Sequence, residues 1–450
     1  MTAAEKAHAI REALPPQGLF ADKTWRIAPD PFPMDPKLHQ KIIDLGPRLH
    51  SFNKACNLLH RQSVEGKQPA WIHRYLDAGK PEELLAMAGN PALKNDLPLV
   101  IRPDILLTDE GFAITELDSV PGGIGLTAWL QQIYEKLGEA SGPSVAKQFI
   151  SALQWESRKI PGDGLIAIVI SEESKDYRPE MEWLAALEPD LLMVCSPQHL
   201  VYRSEGVFVN DRKISLIYRF FELFDLPQIA HKEHLLIAVR DGFVRITPPL
   251  KPQLEEKLWF ALFWFPQLAE FWRHELGDRY FRDLKEVIPF TWILDPSPLP
   301  PHAAIPHLNI HDWSQLGGFS QKDRELILKI SGFSDQAWGS RGVHVGNDMP
   351  QNEWQEKIQR ALANFETHPH ILQRFAKTRL VEHVWHDFET DSATTMKGRM
   401  RLCPYFFVEN DKPQFGGILA TLCPADKKLI HGMKDAVLTI AQSAHIPQPS

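Results

Sequence analysis

Residues 97–125 read LPLVIRPDILLTDEGFAITELDSVPGGIG. The runs PLVIRPDILL and FAITEL have the composition of two strands, with Asp109-Glu110-Gly111 as the turn between them. A three-residue loop sets Thr108 opposite Phe112, so Asp104 falls opposite Glu116 and Arg102 opposite Asp118. All four charged residues occupy even positions, which the two-residue period of a strand places on one face. Directly opposed carboxylates repel unless a cation sits between them. Mg2+ suits that position, because hard divalent ions take oxygen ligands and bridge phosphates. For the hairpin alone, a solvated face partly neutralised by Arg102 is the plainer reading. The loop Ser119-Val120-Pro121-Gly122-Gly123-Ile124-Gly125 follows at once. Such a loop lets backbone N–H groups approach an anion, with a helix N-terminus just beyond, although an ordinary turn accounts for it as well.

Two downstream lysines extend the argument. Leu326-Ile327-Leu328-Lys329-Ile330 places one charge on an otherwise apolar strand, ahead of the glycine-bearing loop 332–342 and the strand Val343-His344-Val345. A lysine there holds phosphates as a point charge while loop amides wrap them. A lysine at a strand edge is the alternative. Lys257 opens the very apolar stretch that begins at Leu258, and snorkelling from that helix is its commoner role. His302, His307 and His311 lie in and just after the proline-rich connector 296–306, and His383 and His386 are three residues apart. Neither group has the ligand set of a zinc site.

Around these motifs the pattern predicts helices over 1–95 and 127–137. The run 164–171, GLIAIVIS, reads as a buried parallel strand, followed by a helix at 178–187 and a strand at 191–195, a β-α-β unit. A hairpin is expected over 206–219 and a pair of helices broken at Pro266 over 251–275. Strands are expected at 324–331, 343–345, 371–375, 405–408 and 415–422, with helices at 351–363 and 436–442. The chain divides into a helical N-terminal region at 1–95, the carboxylate hairpin part at 96–160, an α/β part at 161–250 and a lysine-bearing part at 251–450.

At 450 residues and 44% hydrophobic, the chain is long enough for two or three globular domains. A net charge of −8 with mixed signs gives no basic footprint, so no nucleic-acid partner is expected. Four cysteines without C-x-x-C spacing read as buried thiols in a reducing, cytoplasmic compartment. The N-terminal residues lack the apolar core of a signal peptide. The most apolar stretch, 258–272, is shorter than the ~20 residues needed to span a bilayer, so no membrane partner is expected.

Taken in order, these elements resemble the glutathionylspermidine synthase-like branch of the circularly permuted ATP-grasp enzymes. Arg102-Pro103-Asp104 matches the family's R-x-D, and Glu116-Leu117-Asp118 its metal-binding segment, with the Pro-Gly-Gly-Ile-Gly loop after it. Glu256-Lys257 looks like the N-K segment that opens an apolar helix. Residues 327–346 look like the strand, lysine, loop and strand that close over ATP, and Ile371-Leu372-Gln373-Arg374-Phe375 resembles the hinge strand at the adenine.

The resemblance implies an α/β (α+β) fold of ATP-grasp type, with antiparallel sheets, flanking helices and a parallel α/β subdomain. It implies Mg2+ on Asp104, Glu116 and Asp118. It puts ATP on Lys257, Lys329, Gly339, Gly342, Gln373 and Phe375, with Arg102 as the catalytic cation. Ser119, Gly122, Gly123 and Arg219 are the candidates for contact with substrate. The reaction implied joins a small-molecule carboxylate to an amine through an acyl phosphate. Two departures stand out. Asp118 replaces an amide ligand, and Gly416-Gly417-Ile418-Leu419-Ala420-Thr421 ends in Thr421 where relatives often carry arginine. Arg399 and Arg401 are the candidates to supply that charge. No N-terminal Cys/His segment resembles the amidase domain of bifunctional relatives. A nucleotide-binding scaffold without turnover and a metallohydrolase built on the histidines are the rival readings.

Overall fold

A computed structural model describes residues 1–16, 19, 25–300, 303–337, 341–427 and 435–444. Contacts divide the chain into two units. One comprises Met1–His50, Ala92–Leu250 and Thr378–Ser450, the other Ser51–Pro91 and Lys251–Lys377.

The carboxylate hairpin lies in the first unit, at one edge of an eight-stranded sheet. In order, its strands are Arg26–Ile27, Val437–Ser443, Lys412–Pro424, Ser392–Glu409, Val100–Thr108 and Gly111–Asp118, with Leu380–Asp387 and Phe32–Met34 attached beside this path. The expected hairpin partners are observed, but by a different route. Thr108 pairs with Gly111, so the turn is the two residues Asp109-Glu110, and the register then shifts between Asp104 and Ile105. Thr115 is the extra residue. A turn one residue shorter and a bulge one residue longer restore Asp104 opposite Glu116 and Arg102 opposite Asp118. The bulge has a packing cause. Phe112, Ile114, Glu116 and Asp118 share parity, and strict alternation would put them all on one face. The bulge instead lets Phe112 and Ile114 be buried with Ile105 and Leu107 while both acids face the other way.

Other expectations needed revision where pairing overrode local pattern. The segment expected as a helix at 436–442 is the strand Val437–Ser443, set antiparallel to Lys412–Pro424. Its alternate β-branched residues Val437 and Thr439 suit a pleated surface. The short strand expected at 405–408 is the end of an 18-residue strand, Ser392–Glu409, whose hairpin partner Leu380–Asp387 the pattern did not reveal. Within 1–95 the helices are interrupted by two short strands that pair in parallel with Val437–Ser443.

The same unit holds a six-stranded mixed sheet. Leu165–Ile170, all six residues buried, runs parallel to both Leu192–Cys195 and Arg212–Phe220, as a continuous apolar strand should. Helices Ile124–Lys136 and Val145–Ser157 bury Leu126, Leu130, Phe149 and Leu153 in one core with residues of both sheets, among them Ile168, Tyr218, Phe407 and Leu419.

The second unit is built on a four-stranded antiparallel sheet in the order Thr291–Ile293, His370–Arg374, Leu326–Ile330, Val343–Val345. One face, with Trp292, Leu326, Leu328 and Leu372, packs on the helix Gln351–Ala363 through Trp354, Ile358 and Ala361. The apolar stretch at 258 forms Leu258–Trp264 and, beyond Pro266, Ala269–Val287, with Trp272 stacked on Phe52 at 5.3 Å. No helix among the described residues is long and apolar enough to cross a membrane. The fold is mixed α/β, with antiparallel sheets, flanking helices and a parallel α/β part.

Candidate functional site

Asp104 is the centre of the first cluster. Arg102 is two residues before it on the same face, and Arg102 Nη2 contacts Asp104 Oδ1 at 3.1 Å and also pairs with Asp118. The neighbouring strand Ser392–Glu409 presents Arg401, whose Nη1 lies 3.2 Å from Asp104 Oδ2, and Cys403, whose Sγ lies 3.4 Å from Oδ1. Burial opposes the charge on Arg102, but Asp104 and Asp118 outweigh it and hold the guanidinium above its ordinary value. Burial raises Asp118 against the pull of Arg102, and Asp104 and Glu116 raise it further. Glu116 faces Asp104 across the ladder.

The sequence pattern did not rank Arg401 above Arg399, and the structure separates them. Arg401 is directly paired with Thr421, whose side chain is buried, and reaches over to Asp104. Arg399 donates to the Lys427 carbonyl. A signal was present in the sequence: Arg399, Arg401, Cys403 and Tyr405 alternate, the mark of one strand face. The expected strand began at 405 and cut that pattern off.

The glycine loop is packed by the protein's own groups. Gly123, in the left-handed region at φ 83°, is the N-cap of the helix Ile124–Lys136. The amides of Gly123 and Leu126 donate to the two oxygens of Glu180 at 2.8 and 3.0 Å, so a carboxylate occupies the positive end of that helix. Burial pushes Glu180 up to about 7 even so. A side chain at Gly125 would meet the Glu180 carbonyl oxygen at 2.3 Å. Tyr405 donates to the Gly122 carbonyl at 2.6 Å, and Ser119 Oγ donates to Glu222 at 2.9 Å. Arg219 is fully buried, and its three nitrogens donate to the carbonyls of Phe221, Pro248 and Pro249.

In the second unit, Lys329 Nζ donates to Gln373 Oε1 at 3.0 Å, and Gln373 Nε2 donates to Thr291 Oγ1 at 3.2 Å. Register explains the meeting. Lys329 pairs with Ile371 and Gln373 with Ile327, so both polar side chains lie on the sheet face opposite the Gln351–Ala363 helix. Lys257 Nζ donates to the Ala337 carbonyl at 2.7 Å, which ties the loop to the start of the Leu258–Trp264 helix. Gly342 closes the same loop, where a side chain would collide with the Gln336 carbonyl. Phe375, half-buried, donates its amide to the Glu325 carbonyl just before the chain passes to the other unit. Gly339 and His302 lie outside the described residues. Beneath Lys257, the neighbouring Glu256 pairs with Lys80, both side chains 1% exposed, and Ser331 donates to the same carboxylate.

Among the described residues, neither of the two histidine groups comes together as a zinc site of its own. His383 contacts the Asp30 carbonyl, whereas His386 meets Asp391. His307 stacks edge-on against Phe290, and His311 contacts the Ala303 carbonyl.

No family model matches the chain, and no curated protein matches it in sequence. Among solved structures, a glutathione synthetase-like effector from Globodera pallida, in its apo form, superimposes with a TM-score of 0.57 at 12% identity. The match covers 98% of this chain and 94% of that one. A putative gamma-glutamylcysteine synthetase from Methylobacillus flagellatus matches over 90% of this chain and 88% of its own at 12% identity, with a TM-score of 0.43 too low to carry an argument. The first likeness shows a shared fold.

Proposed function

We propose that the chain is an ATP-dependent carboxylate–amine ligase that forms an amide through an acyl phosphate, in the manner of glutathionylspermidine synthase. The observation that carries this reading is the convergence of Arg102 and Arg401 on Asp104, with Asp118 on the Arg102 guanidinium and Glu116 across the ladder. Two guanidiniums facing three carboxylates keep a negative balance of oxygen donors, the set a hard divalent cation takes. Mg2+ held by Asp104, Glu116 and Asp118 would neutralise phosphate oxygens. Arg102, with Arg401 behind the same carboxylate, is placed to stabilise the charge on a transferring phosphoryl group, since such chemistry is mostly positioning and electrostatics.

Lys329 and Gln373 share one sheet face and Lys257 holds the adjoining loop, an arrangement suited to phosphates and a purine edge. Arg401, opposite Thr421, provides the cation that Thr421 lacks. The fold shared with a protein described as glutathione synthetase-like agrees with this class of reaction. The substrates are a small carboxylate and an amine, in the cytoplasm, without nucleic acid or membrane.

Phosphate release from ATP should require Mg2+ together with a peptide carboxylate and a polyamine or amino acid amine. Asp104→Asn and Lys329→Ala should each lower it by about 100-fold or more. Absence of any thermal shift with Mg-ATP in the unaltered protein would sink the nucleotide reading. Mg-ATP binding without turnover on any carboxylate–amine pair would leave only a nucleotide-binding scaffold.

A further inference from the structure

His8, His386 and Asp391 form a second cluster, far in sequence from the carboxylate hairpin and unused by the proposed ligase. His8 lies on the helix Ala3–Glu12, His386 near the end of the strand Leu380–Asp387, and Asp391 in the turn before Ser392–Glu409. His8 Nε2 and His386 Nε2 approach the same oxygen, Asp391 Oδ1, at 2.9 and 3.0 Å, and the three ligand atoms lie within 4.8 Å of one another. We propose that these residues bind a borderline transition-metal cation of the Zn2+ class, joining the first helix to the Leu380–Glu409 hairpin.

The donor set selects the ion. Two imidazoles and one carboxylate suit Zn2+, Co2+, Ni2+ or Cu2+ and not Mg2+, which prefers oxygen throughout. The spacing fits as well. With metal–ligand bonds of ~2.0–2.1 Å, the edge of a tetrahedron is about 3.3 Å, close to both nitrogen–oxygen separations. The rings are held by packing. His8 and His386 meet edge to face at 5.3 Å, and both pack on Phe388, at 5.3 and 4.6 Å. Arg11, one turn beyond His8, lies over Phe388 at 4.0 Å, which places its charge on the ring.

His386 Nδ1 is buried and meets no partner among the described residues. A metal on Nε2 takes the neutral tautomer with its proton on Nδ1, and that change breaks no hydrogen bond on the far side of the ring. The Asp391 side chain is 70% exposed and that of His8 39%, so a water completes the coordination from solvent. The site does not rest on the ligase reading, because none of its residues belongs to the carboxylate hairpin or the lysine sheet.

Co2+ titrated into the full chain reports the geometry directly. The expected result is an intense visible band saturating at one equivalent, displaced by Zn2+ and not by millimolar Mg2+. His8→Ala and Asp391→Asn, at a half-buried and an exposed side chain, should weaken Co2+ on the order of 100-fold while the metal-free protein still unfolds cooperatively. Asp104→Asn should leave the band intact, which separates this site from the proposed magnesium site. No band at tens of micromolar Co2+, the same band in His8→Ala and Asp391→Asn, or displacement by Mg2+ overturns the proposal.

Discussion

Arg401 and Thr421 face each other across the ladder between Ser392–Glu409 and Lys412–Pro424, with Asp104 receiving the arginine from the other side. A second arginine at 421 would be buried directly opposite Arg401 without an acid of its own. Thr421→Arg should therefore cost about 3–5 kcal/mol in urea unfolding, and the swap Arg401→Thr with Thr421→Arg should recover much of it. Glu180 makes a pH prediction. Its folded value, about 7, lies above the ordinary carboxyl value of 4.5 because burial outweighs the amides of Leu126 and Gly123. Between those two values the folded chain binds a proton that the unfolded chain has lost, so stability falls as pH rises through the window and stays lower above it. The drop should be on the order of 3 kcal/mol between pH 4.5 and 8. Glu180→Gln should flatten most of it in denaturation midpoints. The raised Asp118 leaves a residual slope of the same sign.

Within the hairpin, the bulge at Thr115 absorbs one extra residue and so keeps Phe112 and Ile114 on one face with Glu116 and Asp118 on the other. Deleting Thr115 leaves a regular ladder with Asp104 still opposite Glu116, so protection by Mg-ATP against heat should survive. Deleting Leu117 instead brings Asp118 opposite Pro103, on the apolar face, and should abolish that protection while destabilising the hairpin. Equal behaviour of the two deletions would contradict the register. The sequence held the clue in part: Phe112, Ile114, Glu116 and Asp118 cannot all share one face of a half-buried strand. It could not say whether a break in phase lay within the strand, because both solutions leave Asp104 opposite Glu116 and Arg102 opposite Asp118. The segment 437–443 failed as a helix for a related reason. Its strand state comes from partners at 412–424, 26–27 and 32–34, which local pattern does not contain.

At the scale of the molecule, neither unit is a continuous stretch of chain. The lysine sheet of 251–377 relies on 51–91, which supplies Lys80 to the buried Glu256. Lys80→Ala leaves that carboxylate without its ion-pair partner and should cost about 3–5 kcal/mol. A fragment 251–377 should stay unfolded by circular dichroism and gain structure only when 51–91 is supplied. Folding of the fragment alone would show that the division is not energetic. Several features were legible locally: the opposed carboxylates, the lone lysine on the apolar strand at 326–330, the all-buried strand at 165–170 and the helix break at Pro266. Each follows from a period, a charge or a missing N–H within a few residues. Long-range packing set the rest: Arg401 rather than Arg399 completes the carboxylate cluster, Glu180 fills the helix end behind the glycine loop, and His386 meets His8 rather than His383. Those outcomes depend on sheet order and on contacts between residues far apart in the chain, and no local window carries that information.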